Sequence, residues 1–294
     1  MAIDAAAGDR GAGLRAGEPS RTAMMTALGR GLHRQEHARP WVLDDPFAMP
    51  LIGPGWPELY AGIGKLVSEP LLRQVAALTV ARSRYAEDRL NDSFAQYVVL
   101  GAGLDSFAWR RPDLLRSVRV FEVDHPATQD WKRARVAELA LPCTGHHIYV
   151  PLDFETATLR DALSSAGLDW SRPTLYSWLG VTGYLAPDAV EATLRVVAAG
   201  VAGSEIVMGY APTSPFLNES GAEFLALFRQ LAAQSGEPMD TVFSPFEAEA
   251  MVERCGLSVV ENIGGQELHE RYFADRSDGL APLAFERYLT AAVT

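Results

Sequence analysis

Three features of the sequence could together hold a nucleoside. Gly101-Ala102-Gly103 follows a short apolar run, Asp124 ends a second run, and Asp153 ends a third. Two glycines one residue apart let the backbone turn tightly and let a ligand approach it closely. An acid about 20 residues after such a turn is placed to hold ribose hydroxyls. A carboxylate at the next strand end can accept from an exocyclic amine such as that of adenine. A dinucleotide site wants a third glycine, so that a helix packs closely beside a pyrophosphate. Here that position is Ser106, followed by bulky Phe107 and Trp109. The pattern points to a nucleoside ligand without phosphate, such as S-adenosylmethionine, which needs only the first turn. It weakens the alternative of an NAD-dependent oxidoreductase.

Candidates for chemistry beside that ligand are few. Tyr184 and Tyr210 follow later apolar runs and are expected on the same rim, where they could line a pocket. His269, Arg271 and Tyr272 are read as a late loop that could bring Arg271 to an acidic acceptor, with a surface ion pair as the competing assignment. His125 directly follows Asp124 and is read as a turn residue beside the adenosine. His146 and His147 precede the third run and are expected at the far end of the sheet. Cys143 and Cys255 are too few for a disulfide framework or a four-cysteine metal site, and no metal is expected.

The elements that must position these residues can be read from the apolar pattern. Six short apolar runs, at 96–100, 118–123, 148–152, 174–178, 205–210 and 257–262, alternate with helical stretches near 126–141, 156–166, 187–199, 219–233 and 245–254. Pro126, Pro187 and Pro245 fall where a first helical turn tolerates proline. Such alternation implies crossover units and a mainly parallel sheet, and open parallel sheets bind ligands beyond the carboxyl ends of their strands. Ahead of the sheet, Ser20 can cap a helix reaching about Arg34, and Ser68 to Leu90 has helical apolar spacing. Between them the stretch from Pro40 to Pro57 is broken by prolines yet carries Trp41, Phe47, Met49 and Trp56. With Tyr60, these could frame an acceptor pocket under a lid. The expected architecture is a single α/β, Rossmann-like, doubly wound domain over 68–294, with a helical cap over 18–67 and a disordered tail over 1–17.

Composition bounds the function. With 26 Lys plus Arg against 37 Asp plus Glu, the chain carries a formal charge of −11, which argues against a nucleic-acid scaffold. No run reaches the ~18 apolar residues of a membrane span, and no signal-peptide core is evident, so a cytoplasmic location is expected.

The combination of segments resembles the leucine carboxyl methyltransferase-like group of class I S-adenosylmethionine-dependent methyltransferases, which includes actinobacterial and polyketide O-methyltransferases. The matching stretches are Glu18–Ala23, Ala81-Arg-Ser-Arg-Tyr85, Val98–Asp105, Val120–Pro126 and Ser177–Leu185, with Glu270-Arg-Tyr272 a weaker match. The resemblance implies that Arg82, with Arg84 as fallback, binds the methionine carboxylate of the cofactor. It implies that Gly101 lies under the cofactor's amino-acid part, that Asp124 holds the ribose and that Asp153 with Phe154 contacts adenine; Gly103 and His125, which adjoin them, are counted with the cofactor-binding residues. One departure stands out. Some relatives place a glutamate near the end of the fourth strand, where this chain has Leu179. An acid for the cofactor's ammonium group is missing there. The function implied is methyl transfer to oxygen of a small natural-product acceptor, with a carboxyl group as one candidate. A repurposed S-adenosylmethionine-binding protein without catalysis is a further alternative, and oligomeric state is not readable.

Overall fold

The computed structural model describes residues 20–152, 158–234, 236 and 238–294. The tail over 1–17, Asp153 and Phe154 lie outside the described residues. Four helices precede the first strand: α1 (Arg21–Glu36), α2 (Ala48–Ile52), α3 (Trp56–Gly64) and α4 (Glu69–Asp88). Ser20 caps α1 by accepting from the Ala23 amide at 3.4 Å, as its residue type suggests. Strands and helices then alternate through β1 (Gln96–Leu100), α5 (Phe107–Arg110), β2 (Arg119–Asp124), α6 (Pro126–Glu138), β3 (His147–Pro151), α7 (Leu159–Ser165), β4 (Thr174–Trp178), α8 (Pro187–Ala198) and β5 (Glu205–Tyr210). The chain ends with α9 (Glu219–Gln234), α10 (Pro245–Arg254), β6 (Ser258–Ile263), α11 (Gly265–Tyr272) and β7 (Arg287–Ala292).

The sheet order is β3-β2-β1-β4-β5-β7-β6, with β7 antiparallel to both neighbours and the other pairs parallel. The winding direction changes between β1 and β4, which is where an open α/β sheet leaves a crevice for a ligand. Each face of the sheet is covered. Tyr97 and Val99 of β1 join a cluster with Ala77, Val80 and Leu28 of α4 and α1. Val98 and Leu100 join one with Leu163, Val190 and Met251 of α7, α8 and α10. Strands buried on both faces read as continuous apolar runs, which is why β1, β2, β4 and β5 were recognisable, whereas β3 and β6 are only partly buried.

Two expectations are corrected here. The stretch holding His269, Arg271 and Tyr272 is not a loop but helix α11. The sheet also has a seventh strand, β7, that the apolar pattern did not suggest. Its sequence, Arg-Tyr-Leu-Thr-Ala-Ala, is diluted by threonine and alanine, yet Tyr288, Leu289, Thr290 and Ala291 are each 0% exposed between β5 and β6. Small residues there fill a site crowded from both sides.

Candidate functional site

The glycine turn lies at the carboxyl end of β1. Gly101 and Gly103 adopt φ of 68° and 51°, a left-handed conformation that a side chain would strain. The amides of Gly101 and Ala102 both donate to the Val123 carbonyl, at 2.8 and 3.1 Å, so the turn is tied to the end of β2. Asp124 accepts from the amides of Gly103 and His125. Burial raises its carboxyl pKa, and those two amides together with Lys132 oppose the rise. Lys132 lies beneath, its Nζ 2.5 Å from Glu122 Oε2, with His147 3.1 Å from the other oxygen of Glu122. His147 opens β3 beside Val120, at the amino end of the strands and away from the ligand rim. His125 caps α6, its Nδ1 accepting from Ala127 at 3.2 Å.

A second arrangement forms where α4 passes the ends of β4 and β5. Arg82 is 8% exposed and donates from Nη1 to both carboxylate oxygens of Glu286, at 3.1 and 2.9 Å, and from Nη2 to Thr26 at 3.2 Å. The Tyr288 hydroxyl donates to Glu286 at 2.7 Å. This pair sits at the inner end of a mostly apolar cavity between α1, α4, α9 and the rim segment Gly180–Tyr184. Gly180, at φ 70°, leaves the guanidinium room, since a Cβ there would stand 3.0 Å from Arg82. Tyr184 lines the same cavity, with its hydroxyl 3.3 Å from Thr22 Oγ1. Val181 separates the cavity from the turn, because a Cβ on Gly101 would collide with its side chain. Ala23 of α1 stands over Gly103 in the same way, 2.9 Å from where a Cβ would be.

The cap is fastened to the glycine turn by buried charges. Arg30 of α1 donates to Asp45 at 2.7 Å and to the Leu104 carbonyl at 2.6 Å. Ser106, standing where a third glycine would be, donates to the same Asp45 oxygen at 2.6 Å. Arg110 donates to Ser106 at 2.9 Å and forks onto Glu87 at 3.1 and 2.5 Å. Burial alone would raise the pKa of Asp45, but Arg30, Arg110 and the Ser106 hydroxyl bring it below the ordinary value.

Other sequence candidates fall elsewhere. Arg84 points outward to Asp88 at 2.6 Å, so of the two arginines only Arg82 reaches the cavity. Tyr210 borders the cavity, but its hydroxyl donates to Asn262 at 3.0 Å. Arg271 is not brought to the cavity: it pairs with Glu261 of β6 at 2.5 Å on an exposed flank. Leu179 is half-buried against the core. The five cap residues expected to frame a pocket do not line this one. Trp41 lies under Arg39, and Met49 and Trp56 face a separate cleft near Arg135. The cap lines the cavity instead with Thr22, Met25, Thr26, Leu28 and Ile63. Glu286 and Asp45 were missed in the sequence because neither sits at a spacing or strand end that marks chemistry. Among the described residues, no group of three His, Cys, Asp or Glu side chains could hold a metal, and no helix is long and apolar enough to cross a membrane.

Comparison with known proteins bears on this geometry. A family profile described as leucine carboxyl methyltransferase matches residues 23–198. YktD of Bacillus subtilis (strain 168), named as an S-adenosyl-L-methionine-dependent methyltransferase, is 31% identical over 95% of this chain and 99% of its own length. A Mycobacterium avium (strain 104) protein of the same naming is 36% identical over 60% of this chain and 59% of its own. A crystal structure of a DUF574 family protein from Streptomyces avermitilis MA-4680 superposes with a TM-score of 0.65, covering 95% of this chain and 99% of that one, at 18% identity. That likeness supports the fold.

Proposed function

The chain belongs to the leucine carboxyl methyltransferase family, and from that premise we propose that it is an O-methyltransferase acting on a small, natural-product-like acceptor, at a carboxyl oxygen. Dependence on S-adenosylmethionine comes with the family. When bound, that cofactor supplies a methyl group already activated by its sulfonium, the carbon–sulfur bond breaking with the electron pair to sulfur as the carbon–oxygen bond forms.

The donor set fits such a group. A half-buried carboxylate at the end of β2, Asp124, is suited to two ribose hydroxyls. Arg82 is suited to a carboxylate, for which a guanidinium offers a fork. The acid missing at Leu179 is supplied in this reading from elsewhere: Glu286, already against Arg82, would take the ammonium. The opposed charges of the pair thus mirror those of an α-amino acid. Val181 and Ala23 are the side chains that would give way over the glycines. Asp153 and Phe154 keep their implied place against adenine.

The observation that carries the choice of acceptor is the lining itself. The only carboxylate among the described lining residues, Glu286, is bonded to Arg82 and Tyr288, and the tyrosine hydroxyls are engaged with Thr22 and Asn262. A phenol or alcohol needs a base to take its proton, whereas a carboxylate is ionised at neutral pH. A carboxylate acceptor therefore asks of this cavity only alignment and exclusion of water.

Titration calorimetry with S-adenosylmethionine tests the reading. Wild type is expected to bind. Asp124→Ala removes charge-assisted hydrogen bonds worth ~1.5–3 kcal/mol, so affinity should fall about 10- to 100-fold. No heat with wild type, or equal affinity in the variant, would sink it.

A further inference from the structure

We propose that the acceptor is an elongated amphiphile, whose polar head lies at Gly180–Tyr184 and whose unbranched apolar chain runs outward between α3 and α9. This rests on the methyltransferase reading and goes beyond it, because it names the shape and polarity of the molecule methylated.

The cavity does not end at the core. It continues into a groove that reaches the surface, and the two share Thr22, Met25, Ile63, Val67, Phe224 and Phe228. Beyond these the groove is walled by Leu59 and Leu66 on one side and Leu227 and Leu231 on the other. Charged residues line the passage only at its ends. Arg82 and Glu286 form the inner ion pair, and exposed Arg21 and Glu58 flank the outer mouth. A passage whose walls between these ends are mostly apolar matches a molecule with a long apolar chain, whereas a compact polar acceptor would leave the groove wetted and unused.

Helix α3 supplies an independent observation. Its sequence, Trp-Pro-Glu-Leu-Tyr-Ala-Gly-Ile-Gly, is largely apolar, yet it contains no buried residue. Leu66, just beyond it, is 54% exposed. Apolar side chains half-covered along a groove that opens into a reaction cavity are what a chain-shaped ligand would cover.

The test separates the chain from the chemistry. A fluorescent long-chain carboxylic acid is bound to the full-length protein and displaced by straight-chain acids of increasing length, with no cofactor present. Each methylene buried should tighten displacement about threefold to fourfold, until the chain reaches the mouth and the gain stops. Leu66→Arg, at an exposed position, and Leu227→Trp should each weaken the longest acids at least tenfold while short acids compete as before. Affinity that is flat with chain length, or unchanged in both variants, overturns the proposal. Calorimetry with S-adenosylmethionine runs in parallel. A normal calorimetric response beside flat displacement rejects the chain alone, whereas chain-dependent displacement without that response rejects the acceptor role together with the methyltransferase reading. Mass spectrometry of reactions with the tightest acid should show its methyl ester, and recovery of unmodified acid would likewise overturn the proposal.

Discussion

Glu286 concentrates the consequences of the site at the scale of one residue. It shares a buried environment with Arg82, and removing one partner of a buried pair leaves the other charge uncompensated. Glu286→Gln is expected to cost about 3 kcal/mol in chemical denaturation. If Glu286 also holds the cofactor's ammonium, the same variant should lose about tenfold in S-adenosylmethionine affinity, the effect of one charge-assisted hydrogen bond. Lower stability with unchanged affinity would confine Glu286 to a structural role. Residues of this kind show how far the sequence could be read. Gly101, Gly103 and Asp124 were visible because they sit at strand ends with a spacing that has a mechanism behind it. Glu286 lies 204 residues from Arg82, inside Phe-Glu-Arg, with nothing local to mark it. Arg271 was a candidate by residue type alone, and Glu261 accounts for it.

Among the elements, α1 carries a pH-sensitive joint. His33 Nε2 accepts from the Val42 amide at 3.1 Å, and its Nδ1 lies 2.9 Å from that of His37. Burial, then the facing His37 and Arg276, pushes His33 down to about 3 against the opposing pull of Asp278. Burial, then Arg73, brings His37 to about 4, again opposed by Asp278. Both folded values lie below the ordinary 6.5. Between those limits the unfolded chain takes up protons that the folded chain refuses, so stability is full above the unfolded value and drains as pH falls. Going from about pH 7.5 to about pH 5, His37 alone should account for about 2 kcal/mol of lost stability. His37→Gln should lose that much less than wild type over the same interval in urea titrations, and parallel losses would refute the assignment. At this scale the sequence was informative wherever an element is buried evenly or begins with a cap. It failed for β7, whose burial is reached with small residues, and for α11, an eight-residue helix with only Gly265 and Leu268 buried.

For the whole molecule, the question is whether cap and sheet behave as one body. Asp45 joins α1 to the glycine turn through Arg30 and Ser106, with Arg110 nearby, and it is 1% exposed. Asp45→Ala would leave two buried guanidinium groups short of a carboxylate, at a cost of about 3–5 kcal/mol. A single melting transition shifted downward is expected, with weakened S-adenosylmethionine binding, because the turn loses its anchor. Two separate transitions would show a cap that folds apart from the core. The boundary near residue 67 was drawn from proline content and helical spacing, and neither pattern can reveal a buried ion network that crosses it. Strand β7 has a consequence of its own, in the order of synthesis. Synthesis runs from the amino end, so Arg82 and the glycine turn are made long before Glu286. Through that interval β5 lacks its outer neighbour, β6 has no strand to pair with, and the guanidinium at the cavity's inner end has no carboxylate from this source. A nascent chain that stops short of β7 would thus carry an open sheet edge at β5 and a cavity without the Arg82–Glu286 pair.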